Sequence, residues 1–335
     1  MTHNTFLAVI GKTARVKICD AIDVLEELYA QAASSDDAID EYFKIYDLVD
    51  TIFQNNNFIG DSNDYHNIAV VCAKQEDFDT ACRFLDHGLQ QYPYDVDLLA
   101  DYLKYGMKCN KKDECEKAYQ NLFARKQDWN WRAYKFSIDY LIELVSIDSI
   151  DRDESITSLI ADFQTDLPDE EDAYLVEAEY LQSRNNRRDK GIQSERTFIS
   201  ILQFATSDES PVKRTPKCDL KLADFYYTNG TNLERALELL ERCKKDSVEI
   251  QRSVNRNYVF LLSALCKMSQ YYDNKNQCNQ ENAEALVRAV YQDFHVAALD
   301  IADSRVRDCK KLIESFVRET QIPYPFDDGV ANMIY

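Results

Sequence analysis

The side chains of this sequence best suited to hold a metal ion or to move a proton near neutral pH are its four histidines. They are His3, His66, His87 and His295. None lies in an H-E-x-x-H motif, and none has a cysteine or carboxylate at the spacing of a metal ligand. We therefore predict no metal site and no cofactor. His66 is better explained as a contact in a binding groove.

Carboxylate pairs and one Gly-Lys-Thr run are the other candidates for chemistry. Two carboxyl groups hydrolyse a substrate only when different environments separate their pKa values. The acids of 169–172 are better explained as a solvated helix N-terminus, where the helix dipole favours negative charge. Gly11-Lys12-Thr13 resembles the end of a phosphate-binding loop, but Phe6 stands where that motif needs glycine. We predict that the chain is not an enzyme.

The elements that position any site are predicted to be helices. The 335 residues include only 7 Gly and 6 Pro, the two residue types that helix interiors reject. Hydrophobic residues make up 45% of the chain, which is ample for a packed core. The first helices are predicted at 14–33 and from Asp36 or Asp37 to Phe53.

Charge and cysteine content bound the class of partner. A net charge of −20 repels phosphate backbones, so we expect neither direct nucleic-acid binding nor membrane binding. This acidity either keeps a large surface soluble or attracts a basic partner. The ten cysteines form no C-x-x-C pair, which is typical of reduced core thiols in a cytoplasmic protein. No apolar run is long enough to span a bilayer.

A helical pattern occurs twice, 155 residues apart. The first copy is Tyr65, Ile68, Cys72, Phe78, Ala81, Leu85, Gly88, and the second is Leu220, Ala223, Tyr227, Leu233, Ala236, Leu240, Cys243. Steps of three and four residues place each set on one helix face. A short break divides each copy into two helices. A helical hairpin of about 34 residues cannot bury its apolar face alone and must stack on neighbours.

These offsets resemble the tetratricopeptide repeat. Residues 62–95 match it nearly throughout, including Ala69 and Pro93, and residues 217–248 match at seven positions. The resemblance implies an all-α, right-handed α-solenoid of degenerate hairpins. We predict N-terminal repeats over 1–147, with the best unit at 62–95, and C-terminal repeats over 148–320, with a clear unit at 217–247. The tail 321–335 is predicted to cap the last hairpin; the alternative is that it docks on a partner.

The resemblance also implies a concave groove, lined by the first helix of each hairpin, that holds a peptide or helix of a partner. The groove residues carried over by position are His66, Asn67, Val70, Lys74, Asp101, Lys104, Lys108, Lys221, Phe225, Thr228 and Asn229. Members that capture a carboxyl-terminal tail use a lysine and an asparagine where this chain has His66 and Val70. That departure argues against a clamp for chaperone tails.

We therefore predict a non-catalytic protein-interaction module, acting as a scaffold, an adaptor or a regulatory subunit. The alternative is a ligand-gated regulator, such as a signalling-peptide receptor that controls an effector enzyme or transcription factor. Homo-oligomerisation stays open. A basic patch either pairs with the acidic run before it or faces an acidic partner; it comprises Arg184, Arg187, Arg188 and Lys190.

Overall fold

Helices dominate the computed structural model, which describes residues 16–17, 58–59, 61–74, 76–148, 150–188, 193–212, 214–245, 255–274, 280–298 and 304–326. Val16–Lys17 and Phe58–Ile59 form two short parallel strands, β1 and β2. The prediction of helix from residue 14 is therefore wrong at residues 16–17. Their backbone pairs with 58–59, where apolar and β-branched residues favour strand. The rest of 14–33 and 36–53 lies outside the described residues.

Thirteen helices occupy the described part of the chain. In the first half they are α1 (Ser62–Lys74), α2 (Phe78–Gln91), α3 (Val96–Lys108), α4 (Lys112–Phe123), α5 (Trp131–Asp148) and α6 (Asp153–Asp166). In the second half they are α7 (Glu171–Arg188), α8 (Gln193–Ala205), α9 (Pro216–Thr228), α10 (Leu233–Lys245), α11 (Arg256–Asn274), α12 (Gln280–Ala297) and α13 (Ser304–Thr320). The predicted all-α class is confirmed.

Three of these helices end in the same turn. Helices α1, α3 and α9 are each 13 residues long. Two residues past each end stands a residue with positive φ: Glu76 at 60°, Asn110 at 58° and Gly230 at 61°. The next N–H in each case donates to the carbonyl five residues earlier, at 3.2, 2.9 and 2.9 Å. This arrangement caps the last helical carbonyls, and it places the following helix antiparallel in each hairpin.

The helices pack in two compact units, which divide after Leu167. In unit 1, α1 packs on α2, α3 on α4 and α5 on α6; in addition, α1 contacts α3, and α3 contacts α5. In unit 2, α7 packs on α8, α9 on α10 and α11 on α12; in addition, α7 contacts α9, and α9 contacts α11. We call α1, α3 and α5 the leading helices of unit 1, and α7, α9 and α11 those of unit 2. Each leading helix thus packs on its own partner and on the next leading helix, as stacked hairpins require.

Small residues lie where the helices approach closely. Ala81 and Ala236 are completely buried. A Cβ added to Gly88 would lie 3.0 Å from both Leu98 and Tyr65. A Cβ on Gly106 would lie 2.6 Å from the Sγ atom of Cys115. The repeat pattern normally has a large residue at this last position; here the buried thiol fills that space.

We expect Gly106→Val to lower the free energy of unfolding by about 1–3 kcal/mol, because the new methyl groups must displace Cys115 and the Tyr102 ring. Chemical denaturation of the full chain measures this change. In the double variant Gly106→Val with Cys115→Ala, removal of the thiol should restore part of the loss, since residues in contact are energetically coupled. Equal losses with and without the thiol would contradict this account of the glycine.

The chain after the last helix returns to α12. The Tyr291 hydroxyl donates to the carbonyl of Ile322 at 2.9 Å, and the ring of Tyr324 lies 5.3 Å from that of Tyr291. Phe326 stacks on His295, with ring centroids 4.1 Å apart. These contacts cover apolar surface on α12 and α13; a capping role for the whole tail remains a prediction. Across the described residues, no helix combines the length and apolar character needed to cross a bilayer.

Candidate functional site

Polar side chains form a stripe across the three leading helices of unit 1. Most of these residues are three, four or seven positions from another on the same helix, and so share a face. We call this surface the leading-helix face; it comprises His66, Asn67 and Val70 on α1, Asp97, Lys104 and Lys108 on α3, and Arg132, Lys135 and Asp139 on α5. The face exists because α1, α3 and α5 lie side by side in the stack.

A buried carboxylate joins the three helices beneath this face. Asp101 on α3 is completely buried. Its carboxylate contacts the Nδ1 atom of His66 on α1 and accepts a hydrogen bond from Nη2 of Arg132 on α5, at 2.6 Å. A buried carboxylate requires such partners because it has lost its hydration. The predicted groove residue Asp101 thus lies below the surface and positions the two side chains that it binds.

The neighbouring Arg132 is held from several sides. The Asn130 side-chain oxygen accepts the N–H groups of Arg132 and Ala133 at 3.0 and 3.1 Å, which caps the start of α5. The guanidinium carbon lies 5.6 Å from the centre of the Trp131 ring and 5.8 Å from that of Phe136. Asp97 lies 3.9 Å from its Nε atom. The cation is therefore presented in one orientation.

Lys104 is the cation in the middle of the face. Its side chain is exposed, and its Nζ atom lies 4.8 Å above the Phe136 ring and 5.2 Å from the Tyr105 ring. The surrounding protein displaces water from the ammonium and lowers the pKa of Lys104, and the charges of Arg132 and Lys135 lower it further. Asp101 and Asp139 act in the opposite direction on this pKa. The site is thus a partly desolvated cluster of positive charge.

The other predicted groove residues of unit 1 lie along the same stripe. Asn67 and Lys108 are exposed, and Val70 is half-buried. The side chain of Lys74 lies outside the described residues. The face therefore brings His66 together with Lys104 through Asp101 and Arg132, and it extends one turn in each direction along the helices.

Three of the four predicted groove residues of unit 2, Lys221, Phe225 and Asn229, have partners within that unit. Lys221 donates to Glu179 at 3.2 Å, and the half-buried Phe225 ring lies 5.6 Å from the Phe198 ring on α8. Thr228 and Asn229 are exposed, and the Asn229 amide donates to the Phe225 carbonyl at 2.9 Å. Arg184 is half-buried and has contacts of its own. The side chains of Arg187 and Arg188, and all of Lys190, lie outside the described residues.

Two buried acids hold the helices of unit 2 together. Asp219 accepts from Nε of Arg242 at 2.6 Å beside a cavity of about 330 Å³. Burial raises the pKa of Asp219, although the hydrogen bonds from Arg242 and Thr215 oppose that rise. Asp293 on α12 accepts from Lys244 at 2.8 Å and from Lys267 at 2.7 Å. Their partners come from α10 and α11, so both clusters are cross-links within the fold.

A third buried acid, Glu171, meets the N-terminus of α9. Its Oε2 atom accepts from the backbone N–H groups of Lys217 and Cys218, at 2.9 and 3.2 Å. Burial is the largest effect and raises the pKa of Glu171 to about 7, while Lys217 and the two N–H groups lower it. Between the ordinary carboxyl pKa and pH 7 the folded chain therefore keeps a proton that the unfolded chain has released.

Stability should consequently rise as the pH falls from about 8 to about 6, because the folded state binds the extra proton. Glu171 contributes about 1 kcal/mol to this rise, one pKa unit of linkage. We expect Glu171→Gln to remove that contribution, since an amide does not titrate but still accepts from the N–H groups. Thermal melts at the two pH values measure it. Glu209→Gln, in an exposed turn, is the control and should retain the full pH dependence.

The described residues contain no group of three or more His, Cys, Asp or Glu placed to hold a metal ion. Burial raises the pKa of Cys115 and of Cys266 to about 12, so their thiols are almost entirely protonated at neutral pH and are poor nucleophiles.

Comparison with known proteins concerns the fold. No family model and no curated protein matches the sequence. A human IFIT1 dimer with PPP-AAAA is 14% identical with a TM-score of 0.42, and the match covers 91% of this chain and 68% of that one. A tetratricopeptide repeat protein from Parabacteroides merdae is 13% identical with a TM-score of 0.42, covering 90% of this chain and 100% of that one. A monomeric IFIT1 mutant with Gppp-AAAA is 13% identical with a TM-score of 0.44, covering 96% and 72%.

The described helices form pairs, and within each unit the leading helices pack on one another in order. Together with the repeat pattern of the sequence, this packing gives the chain a tetratricopeptide-like helical repeat fold. In this tetratricopeptide-like fold the third hairpin, α5 with α6, carries part of the site that sequence reasoning missed. The groove positions carried over by resemblance end at Lys108 in the first half of the chain, so Arg132, Lys135 and Phe136 were not among them. Extending the same positions to the helix that follows Trp129 would have placed Arg132 and Lys135 on the face of Lys104.

Proposed function

We propose that the chain is a non-catalytic interaction module, and that it binds a peptide or helix of a partner protein on the leading-helix face of unit 1. The observation that carries the proposal is the anchored cation cluster at the centre of this face. Arg132 and His66 are held by a carboxylate that is itself buried, and Lys104 stands exposed beside them. Such an arrangement supports recognition because the side chains are ordered before a partner arrives.

The energetic argument is one of preorganisation. Ordering a long, flexible side chain at an interface costs about 0.5–1.5 kcal/mol. Arg132 is already ordered in the folded chain, because two aspartates, an asparagine cap and two rings confine it. Binding a partner therefore does not have to order this side chain. Exposed neighbours such as Asn67 and Lys108 add polar contacts at the rim. A partner of this face is thus expected to be a protein segment that the chain holds without chemical change.

Site-specific photo-crosslinking in the cell of origin tests the location. A benzophenone side chain replaces Asn67 or, in a second sample, Lys108, and adducts are identified by mass spectrometry. Lys117 is the matched control, an exposed lysine on the trailing helix α4. We expect the same partner protein at both face positions and not at Lys117. Adducts at Lys117 alone, or different proteins at each position, would place the binding surface elsewhere.

A further inference from the structure

Charges on the leading-helix face are unevenly matched. Arg132 pairs with Asp101 and lies 3.9 Å from Asp97, and Lys135 lies 4.0 Å from Asp139. Lys104, between them, forms no ion pair and donates no hydrogen bond to any residue that the structure describes. The same holds for Lys108 one turn further along α3. The Lys104 ammonium lies over two aromatic rings and has no anionic partner among the described residues.

The surroundings of Lys104 favour an anion at this position. Water around the ammonium is already partly displaced, so the Coulomb attraction to an incoming carboxylate is screened less than at an open surface. Arg132 and Lys135 add positive charge from the next helix. The Nε group of Arg132 is buried and donates no hydrogen bond within the described part of the chain. An oxygen acceptor bound at Lys104 would give the ammonium the hydrogen-bond partner that the described residues do not provide.

The acids of the face limit what that anion can belong to. Asp97 and Asp139 lie at either side of the cations, and the whole chain carries a net charge of −20. A nucleic-acid strand carries a phosphate on every nucleotide. Its phosphates would lie near these carboxylates as well as near Lys104, and the like charges would repel each other. A peptide with one carboxylate between uncharged residues avoids them.

We propose that the partner segment is an acidic peptide, and that one Asp or Glu side chain of it binds the Lys104 ammonium beside Arg132 and Lys135. This rests on the proposed function and specifies the chemistry of its ligand. Lys104 is the residue that selects for the acid, and Asp101 acts on binding only by positioning Arg132.

Selection of a random displayed-peptide library on the immobilised full chain tests the proposal. We expect the selected peptides to share one Asp or Glu among uncharged residues. Changing that acid to its amide should weaken binding about tenfold, as the loss of one charge-assisted contact does. Lys104→Gln should weaken the parent peptide equally and the amide peptide no further. Lys117→Gln removes the same charge outside the face and should bind as the parent does.

Several outcomes would overturn this assignment. Selected peptides without an acid, or equal binding to Lys104→Gln, would show that Lys104 selects nothing. Tighter binding of single-stranded RNA than of the peptides, lost in Lys104→Gln, would assign the site to nucleic acid. A zero-length carbodiimide crosslink from Lys104 to a carboxylate of its own chain would show the site already occupied. If no peptide is selected while Asn67 and Lys108 still crosslink a partner, the acidic subsite is wrong and the proposed function stands.

Discussion

Asp101→Asn is expected to lower the free energy of unfolding by about 3–5 kcal/mol, the usual effect of removing one partner from a buried ion pair. The amide has the shape of the carboxylate but not its charge. Arg132 would then lie half-buried beside a neutral group, and the amide has one acceptor oxygen where the carboxylate has one each for His66 and Arg132. Because the three leading helices of unit 1 meet at this side chain, the loss should appear as a lower midpoint of chemical denaturation.

Asp139→Asn is the matched control, since Asp139 is exposed on the same face and lies 4.0 Å from Lys135. An exposed ion pair contributes about 0–1 kcal/mol, so this variant should unfold close to the parent. A loss at Asp101 no larger than the loss at Asp139 would mean that the carboxylate does not hold the helices together.

Ala81→Arg and Ala236→Arg should each destabilise the chain by several kcal/mol. Both alanines are completely buried in the second helix of a hairpin. Overpacking alone costs about 1–3 kcal/mol, and an unpaired guanidinium in the same space adds the cost of burying a charge. Circular dichroism during thermal unfolding measures the effect, with each variant compared to the parent.

Ala161→Arg provides the comparison for these variants, because Ala161 is exposed in the middle of helix α6. Arginine is tolerated on an exposed helix face, so little change is expected. Melting temperatures for Ala81→Arg or Ala236→Arg equal to that of Ala161→Arg would contradict the repeat register.

Much of the fold could be predicted from local signals. The scarcity of Gly and Pro indicated helices, and the paired offsets around Ala81 and Ala236 placed two hairpins correctly. Asn110 and Gly230 marked turns in the sequence because both residue types tolerate positive φ. Glu76 gives no such signal, yet it adopts the same conformation. Its turn was predicted from the break in the repeat pattern between Cys72 and Phe78, and not from the residue type.

The candidate site was predictable in part, because helical spacing indicates on which side of a helix a residue lies but not how deeply it is buried. The pattern placed His66, Asp101 and Lys104 on the first helices of their hairpins, and in the structure they lie on α1 and α3. Whether a residue on that face is exposed or covered depends on the next helix in the stack. Arg132 reaches over Asp101 from α5 and turns an apparent surface acid into a buried anchor. The Lys104 side chain beside it remains exposed, and its ammonium forms no ion pair with any residue that the structure describes.

The matching turns at Glu76, Asn110 and Gly230 give the hairpins one further property. Since the leading helices α1, α3 and α9 are equal in length and close in the same way, each of these hairpins has the same entry and exit geometry at that turn. If a complete helix pair were lost or duplicated, the neighbouring hairpins would still be connected with the same geometry. A single residue inserted in a leading helix would instead rotate the packing face of that helix by roughly 100°. Sequence change in such a chain is therefore tolerated in whole modules far more readily than in single-residue insertions.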